Sequence, residues 1–326
     1  MTSYGSQKIV NLMRRTMHDA AWIKEAVQAA IDLELSTIPP YLCALWSIED
    51  AGTALTTVRA VVHDEMGHLG LMCNLLKGLG VAPQIVGAVP RYPGPLPGGV
   101  RPELTVYLSG MTKQFVLEVM MGIEKPEKPI PVTLALRETF PSIGKFYEAI
   151  AAALPAQKPP LTLSAAGQLN SAFGVHPITT IDDAVKSIDH IRGQGEGTTT
   201  SATFGGQLAH FYRFEEIFIG KKLVETTPGK LTQTDIDVAF PRTLPMGRVP
   251  FGGWPSRDPD GKGTLLAFNN LYRSVLQDLE AAWGAGGPSA LGRAISTMTL
   301  MAVPAKTLMN VKQPTGTENY GPDFLI

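Results

Sequence analysis

The sequence predicts an all-α protein: a helical bundle with long Pro/Gly-rich loops and additional helices towards its C-terminus. Three observations lead there. Apolar residues recur at spacings of three and four through several long segments, the pattern of amphipathic helices. No stretch alternates apolar and polar residues with period two over several strands. The 33 glycines and 26 prolines among 326 residues read as ordered loops between helices, because apolar residues stay plentiful throughout.

The first periodic segment is 17–50. Trp22, Ala26, Ala29, Ala30, Leu33 and Ile38 form its stripe, and His18-Asp19 can cap its start. Pro39-Pro40 predicts a kink, since proline lacks an N–H and crowds the preceding turn. A second helix is predicted over 54–79, with Val58, Val61, Val62, Leu69 and Met72 in its stripe and Gly80 as its stop. The short connection predicts an antiparallel pair. The following stretch, APQIVGAVPRYPGPLPGGVRP, suits neither helix nor central strand, and a loop of that length is usually functional or a crossover.

Further helices are predicted over 103–124, 142–154, 181–192 and 206–224, with a loop at 159–180 and an irregular GQGEGTTTSATFGG. A loop-rich region at 226–262 precedes two more helices, near 263–284 and 289–311. There is no internal repeat and no linker with a shift in composition. Residues 15–225 are therefore read as a metal-binding bundle, and 226–326 as loop and helices packed on it within the same domain.

Net charge is −1, which gives no footprint for nucleic acid or an anionic membrane surface. No apolar run is long enough to span a bilayer, and the N-terminal residues lack the apolar core of a signal peptide. Cys43 and Cys73 lie in apolar helical patterns and suit a reducing compartment. The expectation is a cytoplasmic protein with no nucleic-acid or membrane partner.

Chemistry concentrates in the second helix, where Glu65 and His68 stand three apart and so share a face. A carboxylate and an imidazole there can grip iron, zinc or manganese, whereas calcium and magnesium prefer oxygen alone. Val61, Val62, Leu69 and Met72 turn at least part of this motif inward. In the first helix Glu34 is flanked by Ile31, Leu33, Leu35 and Ile38, and a buried carboxylate must be paired, protonated or metal-bound.

Carboxylate-bridged di-metal bundles take a Glu from each of two helices and a Glu-x-x-His from each of the other two. Glu34 with Glu65 and His68 would be half of such a site. For the other half the chain offers Glu118, Glu124, Glu148, Glu196 and His210. The second Glu-x-x-His is replaced by Gln207-x-x-His210, so another carboxylate is needed, and Glu196 in its glycine-rich turn is the obvious candidate. Tyr212, Arg213, Glu215 and Glu216 are candidates to orient His210, and His18, His63, His176 and His190 read as structural or surface residues. Nucleophile elbows, phosphate-binding loops and Cys-x-x-Cys motifs are lacking.

LELSTIPPYLCALWSIED, HDEMGHLGLMCNLLKGLG, YPGPLPG, GIEKPE, SIGKFYEAI, QGEGT and LAHFYRFEEI, in this order, resemble the ferritin-like domain of the iminophenylpyruvate dimer synthase family. The C-terminal helices are also similar, so the resemblance covers about residues 15–325. It implies a ferritin-like four-helix bundle and a ligand set of Glu34, Glu65, His68, Glu124, Glu196 and His210, with Glu148 in reserve for Glu124. It further implies one or two non-haem iron ions, Fe(II)/Fe(III), and an oxidoreductase of secondary metabolism. Its relatives couple imines of aromatic 2-keto acids, which implies a small aromatic substrate and an amino-acid oxidase partner that supplies the imine. The loops at 81–102 and 226–262 would cover that substrate, and a homodimer is compatible with this reading. The alternative is a non-catalytic, ferritin-type protein that binds iron or detoxifies peroxide.

Overall fold

Helix α1 (Lys8–Arg14) leads into α2 (Ala20–Ser47), where the Asp19 carboxylate accepts the Trp22 N–H at 2.8 Å. The computed structural model describes residues 7–126, 142–197, 200–255, 259–314 and 316–326. α2 carries Pro39 and Pro40 inside it. The missing Pro40 N–H frees the Ser36 carbonyl, and the Tyr92 hydroxyl of the Pro/Gly-rich loop donates to it at 2.7 Å. Connection 48–52 turns the chain back into α3 (Thr53–Gly78), which packs along α2.

The expected helix over 103–124 begins later. Backbone groups of its first half find tertiary partners instead: Val106 exchanges hydrogen bonds with Gly94, Gly110 donates to Met246, and Val249 donates to Leu108. Helix α4 occupies 113–124, once Thr112 Oγ1 accepts the Phe115 N–H. It consists of Lys113–Phe115, a π-helical segment Val116–Met120, and Met121–Glu124. Helix α5 (Ile143–Ala153) starts at a Ser142 cap, and α6 (Ile181–Gly195) at a reciprocal Thr180–Asp183 capping box.

The predicted helix over 206–224 is shorter and has strands on both sides. β1 (Thr203–Phe204) pairs with β2 (Gln207–Leu208), and α7 spans only His210–Ile219. Gly220, at φ 79°, ends it in the left-handed conformation that glycine adopts without penalty. β3 (Lys221–Thr227) and β4 (Lys230–Asp237) then form an antiparallel hairpin inside the region read as loop. Helix α8 (Pro259–Ala281) passes through a π-helical segment, Ala282–Gly286, into α9 (Gly287–Met309).

The fold is all-α, with the short strands as additions to it. α2, α3, α4 and α7 form the bundle; α5 and α6 pack together beside it, and α8 and α9 pair as a hairpin against it. One apolar core runs through all of these elements. Trp46 of α2 stacks on Phe324 and meets the edge of Phe268, while the Trp283 indole donates to Asn74 Oδ1 of α3 at 2.8 Å. Among the described residues no helix is long and apolar enough to cross a membrane.

α3 lets the 159–180 loop approach closely. A Cβ at Gly67 would lie 2.3 Å from the Phe173 carbonyl oxygen. Alanine improves helix propensity by about 1 kcal/mol, but overpacking against backbone costs about 1–3 kcal/mol. Gly67→Ala is therefore expected to lower the denaturant midpoint of unfolding; an unchanged or higher midpoint would mean that the loop yields freely.

Candidate metal centre

Each bundle helix delivers acid or imidazole to one interior point. α2 brings Glu34, α3 brings Glu65 and His68 one turn apart, α4 ends on Glu124, and α7 begins with His210. All five are buried, His210 completely. Their ligand atoms fall into two groups, each within 4.8 Å: Glu34, Glu65 and His68, and Glu65, Glu124 and His210. Glu65 belongs to both.

Both imidazoles are oriented alike. His68 Nε2 meets Gln194 Oε1 at 2.8 Å, and His210 Nε2 meets Asp64 Oδ2 at 3.2 Å. Because these partners are acceptors, each Nε2 carries the hydrogen and each Nδ1 is turned inward. His68 Nδ1 lies 3.6 Å from Glu34 and 3.7 Å from Glu65. His210 Nδ1 lies 2.9 Å from Glu65 and 3.7 Å from Glu124, yet is buried without an aligned hydrogen-bond partner. Lone pairs facing carboxylate oxygens repel unless a proton or a cation stands between them. The donors therefore fit metal ions: two carboxylates and one imidazole for each, with Glu65 shared, a set that suits iron, manganese or zinc.

Hydroxyls hold the carboxylates from behind. Thr37 Oγ1 donates to Glu65 at 2.8 Å, Tyr41 donates to Glu124 at 2.7 Å, and Tyr147 donates to Glu34. Asp64 is held in turn by Arg213 Nη1 at 3.2 Å, and Arg213 by Gln207 Oε1 at 2.6 Å. None of Thr37, Tyr41, Asp64, Tyr147 and Gln194 stood out in the sequence. Thr37 and Tyr41 had a legible signal, since they continue the Glu34 face of α2 at spacings of three and four.

The remaining candidates lie elsewhere. Glu196, at the C-terminal cap of α6, lines the same cavity but accepts the Gly144 N–H at 3.1 Å and lies 3.8 Å from Arg101; it is in neither group. Glu148 is exposed and pairs with Arg192 at 2.6 Å, and Glu118 bonds Tyr107 and Gln114. Glu216 holds Lys222 and the Leu223 N–H, while Glu215 is pushed up to about 7 by burial. Arg213 reaches His210 only through Asp64.

Burial and charge compete in this cluster. Burial, then the Glu124 charge, push Glu65 up to about 7. Burial alone would depress His68, but hydrogen bonding to Glu34 and the Glu65 charge raise it to about 9. Burial likewise opposes His210, which contacts with Asp64, Glu124 and Glu65 raise well above its ordinary value. Histidines held charged stabilise the fold fully below their unfolded value near 6.5, and His68 loses that contribution as pH rises through about 9. Glu65, held neutral, also loses its contribution with rising pH, from the ordinary carboxylate range to about 7. Metal-free protein should thus melt at lower temperature at pH 9 than at pH 7. Metal loading needs deprotonated ligands, so its stabilisation should grow over the same interval. Melting curves of both forms decide it; a metal-free form that gains stability towards pH 9 contradicts the assignment.

Glu34, Glu65, His68 and Glu124 also line a cavity walled by Leu33, Leu96, Ile123 and Ile191, with Arg192 among its lining. A family model described as ferritin-like matches residues 27–219, a span that includes every ligand candidate. The crystal structure of a ferritin-like protein from Caulobacter vibrioides superposes with a TM-score of 0.65 at 22% identity, covering 93% of this chain and 97% of that one. No curated protein matches the sequence.

Proposed function

The chain belongs to the ferritin-like family, and from that premise we propose that it is an iron-dependent oxidoreductase of secondary metabolism. The observation that carries this reading is the pair of buried groups joined by Glu65, with both Nδ1 atoms turned inward. Glu34, Glu65 and His68 would hold one iron, and Glu65, Glu124 and His210 the other, with Glu196 at the rim of the same cavity. Iron there supplies oxidation driven by dioxygen or peroxide.

The rest is the work of the side chains around it. Thr37, Tyr41 and Tyr147 keep the carboxylates aimed inward, and Gln194 and Asp64 hold the imidazole tautomers. The apolar cavity walls exclude water from a small aromatic substrate. The resemblance in the sequence favours imines of aromatic 2-keto acids, supplied by a partner amino-acid oxidase. Joining two such imines releases two electrons and two protons, which dioxygen takes up as hydrogen peroxide. A cytoplasmic location, with Cys43 and Cys73 buried and free, and a single domain spanning the bundle and residues 226–326 belong to the same reading.

Anaerobic reconstitution with Fe(II), followed by metal analysis, tests the centre. About two iron ions per chain are expected, and fewer than about 0.2 would overturn it, since a preformed site fills readily. Incubating the loaded protein with an amino-acid oxidase, an aromatic amino acid and air should give a dimeric product by mass spectrometry. Uptake of many iron ions per chain with no such product would instead favour the ferritin-type alternative.

A further inference from the structure

A second cavity lies on the other side of α2 and α3, between these helices and the α8–α9 hairpin. Leu42, Met66, Phe173, Leu276, Ile295 and Met298 are among its walls. None of its lining residues is charged. An ionised ligand there would have no counter-charge, and burial strongly penalises an unpaired charge. A neutral, mostly hydrocarbon molecule matches the walls.

One polar group stands apart. Tyr272 of α8 lines the cavity, is only 5% exposed, and has a buried hydroxyl without a hydrogen-bond partner among the described residues. Buried polar groups of folded proteins are nearly always satisfied, so an orphan in a cavity wall calls for an acceptor. The ring is fixed edge-on to Phe324 at 5.0 Å, and burial raises its pKa, so the hydroxyl remains a donor. The Trp283 indole, also in the wall, is already used by Asn74.

We propose that this cavity binds an uncharged, largely hydrocarbon molecule carrying a carbonyl oxygen, and that the Tyr272 hydroxyl recognises that oxygen. Leu35, Met66 and Leu69, which line the cavity, directly adjoin Glu34, Glu65 and His68 in sequence. The ligand would rest against the backs of the helices that carry the metal centre, without entering it.

Acetophenone and ethylbenzene, nearly the same shape and differing in the carbonyl, separate recognition from simple partitioning. Titrated into iron-loaded protein and followed by calorimetry or ligand-observed NMR, both should bind saturably at one site. Tyr272→Phe should weaken acetophenone about tenfold relative to ethylbenzene, the effect of one buried hydrogen bond. Leu276→Trp, or Met298→Trp at the rim should the first not fold, should remove both ligands while iron content stays unchanged. Absence of saturable binding, an equal effect of Tyr272→Phe on both compounds, or binding that survives the filled cavity would each overturn the assignment. The outcome does not depend on whether the metal centre holds iron.

Discussion

Glu65→Gln should lose iron at both positions at once, falling from about two ions per chain to below about 0.2 after reconstitution. Its carboxylate is the member common to the two groups, whereas Glu34 and Glu124 each belong to one. Glutamine keeps the volume and can still accept the Thr37 hydroxyl, so helix content by circular dichroism should not change. What it lacks is the negative charge that offsets two cations in a buried site. Glu34→Gln should act on one group only and leave about one ion bound. Two ions retained in Glu65→Gln would show that the carboxylate does not bridge, whatever else the site does.

Asp64→Ala should weaken metal at the His210 position by about 10–100-fold, the usual consequence of removing the partner behind a ligating imidazole. Asp64 accepts from His210 Nε2 and from Arg213, so its loss frees the ring to rotate and leaves a guanidinium with one partner fewer. Asp64→Asn, which retains an acceptor oxygen, should recover part of the affinity. Titration with Fe(II) under anaerobic conditions should show one weakened step and one normal step. Equal weakening of both steps would indicate a general loosening of the fold instead.

The centre of the site was legible because its chemistry contradicts its surroundings. Glu34 and His68 sit in apolar stripes where a solvated role makes no sense, and helical spacing places Glu65 beside His68. Asp64 was not legible, because a charge next to Glu65 in HDEMGH reads as the wet face of the same helix. Gln207 drew attention as a missing carboxylate, yet in the fold it steadies Arg213, which steadies Asp64. Gln194, two residues before the singled-out Glu196, is the one that meets His68.

Element boundaries failed where tertiary pairing outweighed local pattern. Residues 103–112 have a helical look, but their backbone groups bond to the 94 and 246–249 segments. Lys221–Thr227 continues the composition of α7, and only the Pro228-Gly229 pair between two Thr-containing runs signals the hairpin.

The π-helical segment of α4 sets the rotational phase of everything that follows it. A π-turn amounts to one residue inserted into an α-helix, and one residue corresponds to about 100° of rotation. Glu124 stands just beyond Val116–Met120, so its arrival at the bundle axis depends on the wide turn that absorbs that extra residue. Deleting Leu117, which is 37% exposed, would let the segment close into an ordinary helix with little disturbance of the core. The same deletion would leave Glu124 near its present bearing, whereas closing the segment with every residue kept would swing it about 100° away from Tyr41 and His210. In this helix the angular bearing of a ligand is kept by one wide turn that absorbs a residue, and a regular helix through the same residues would misdirect it.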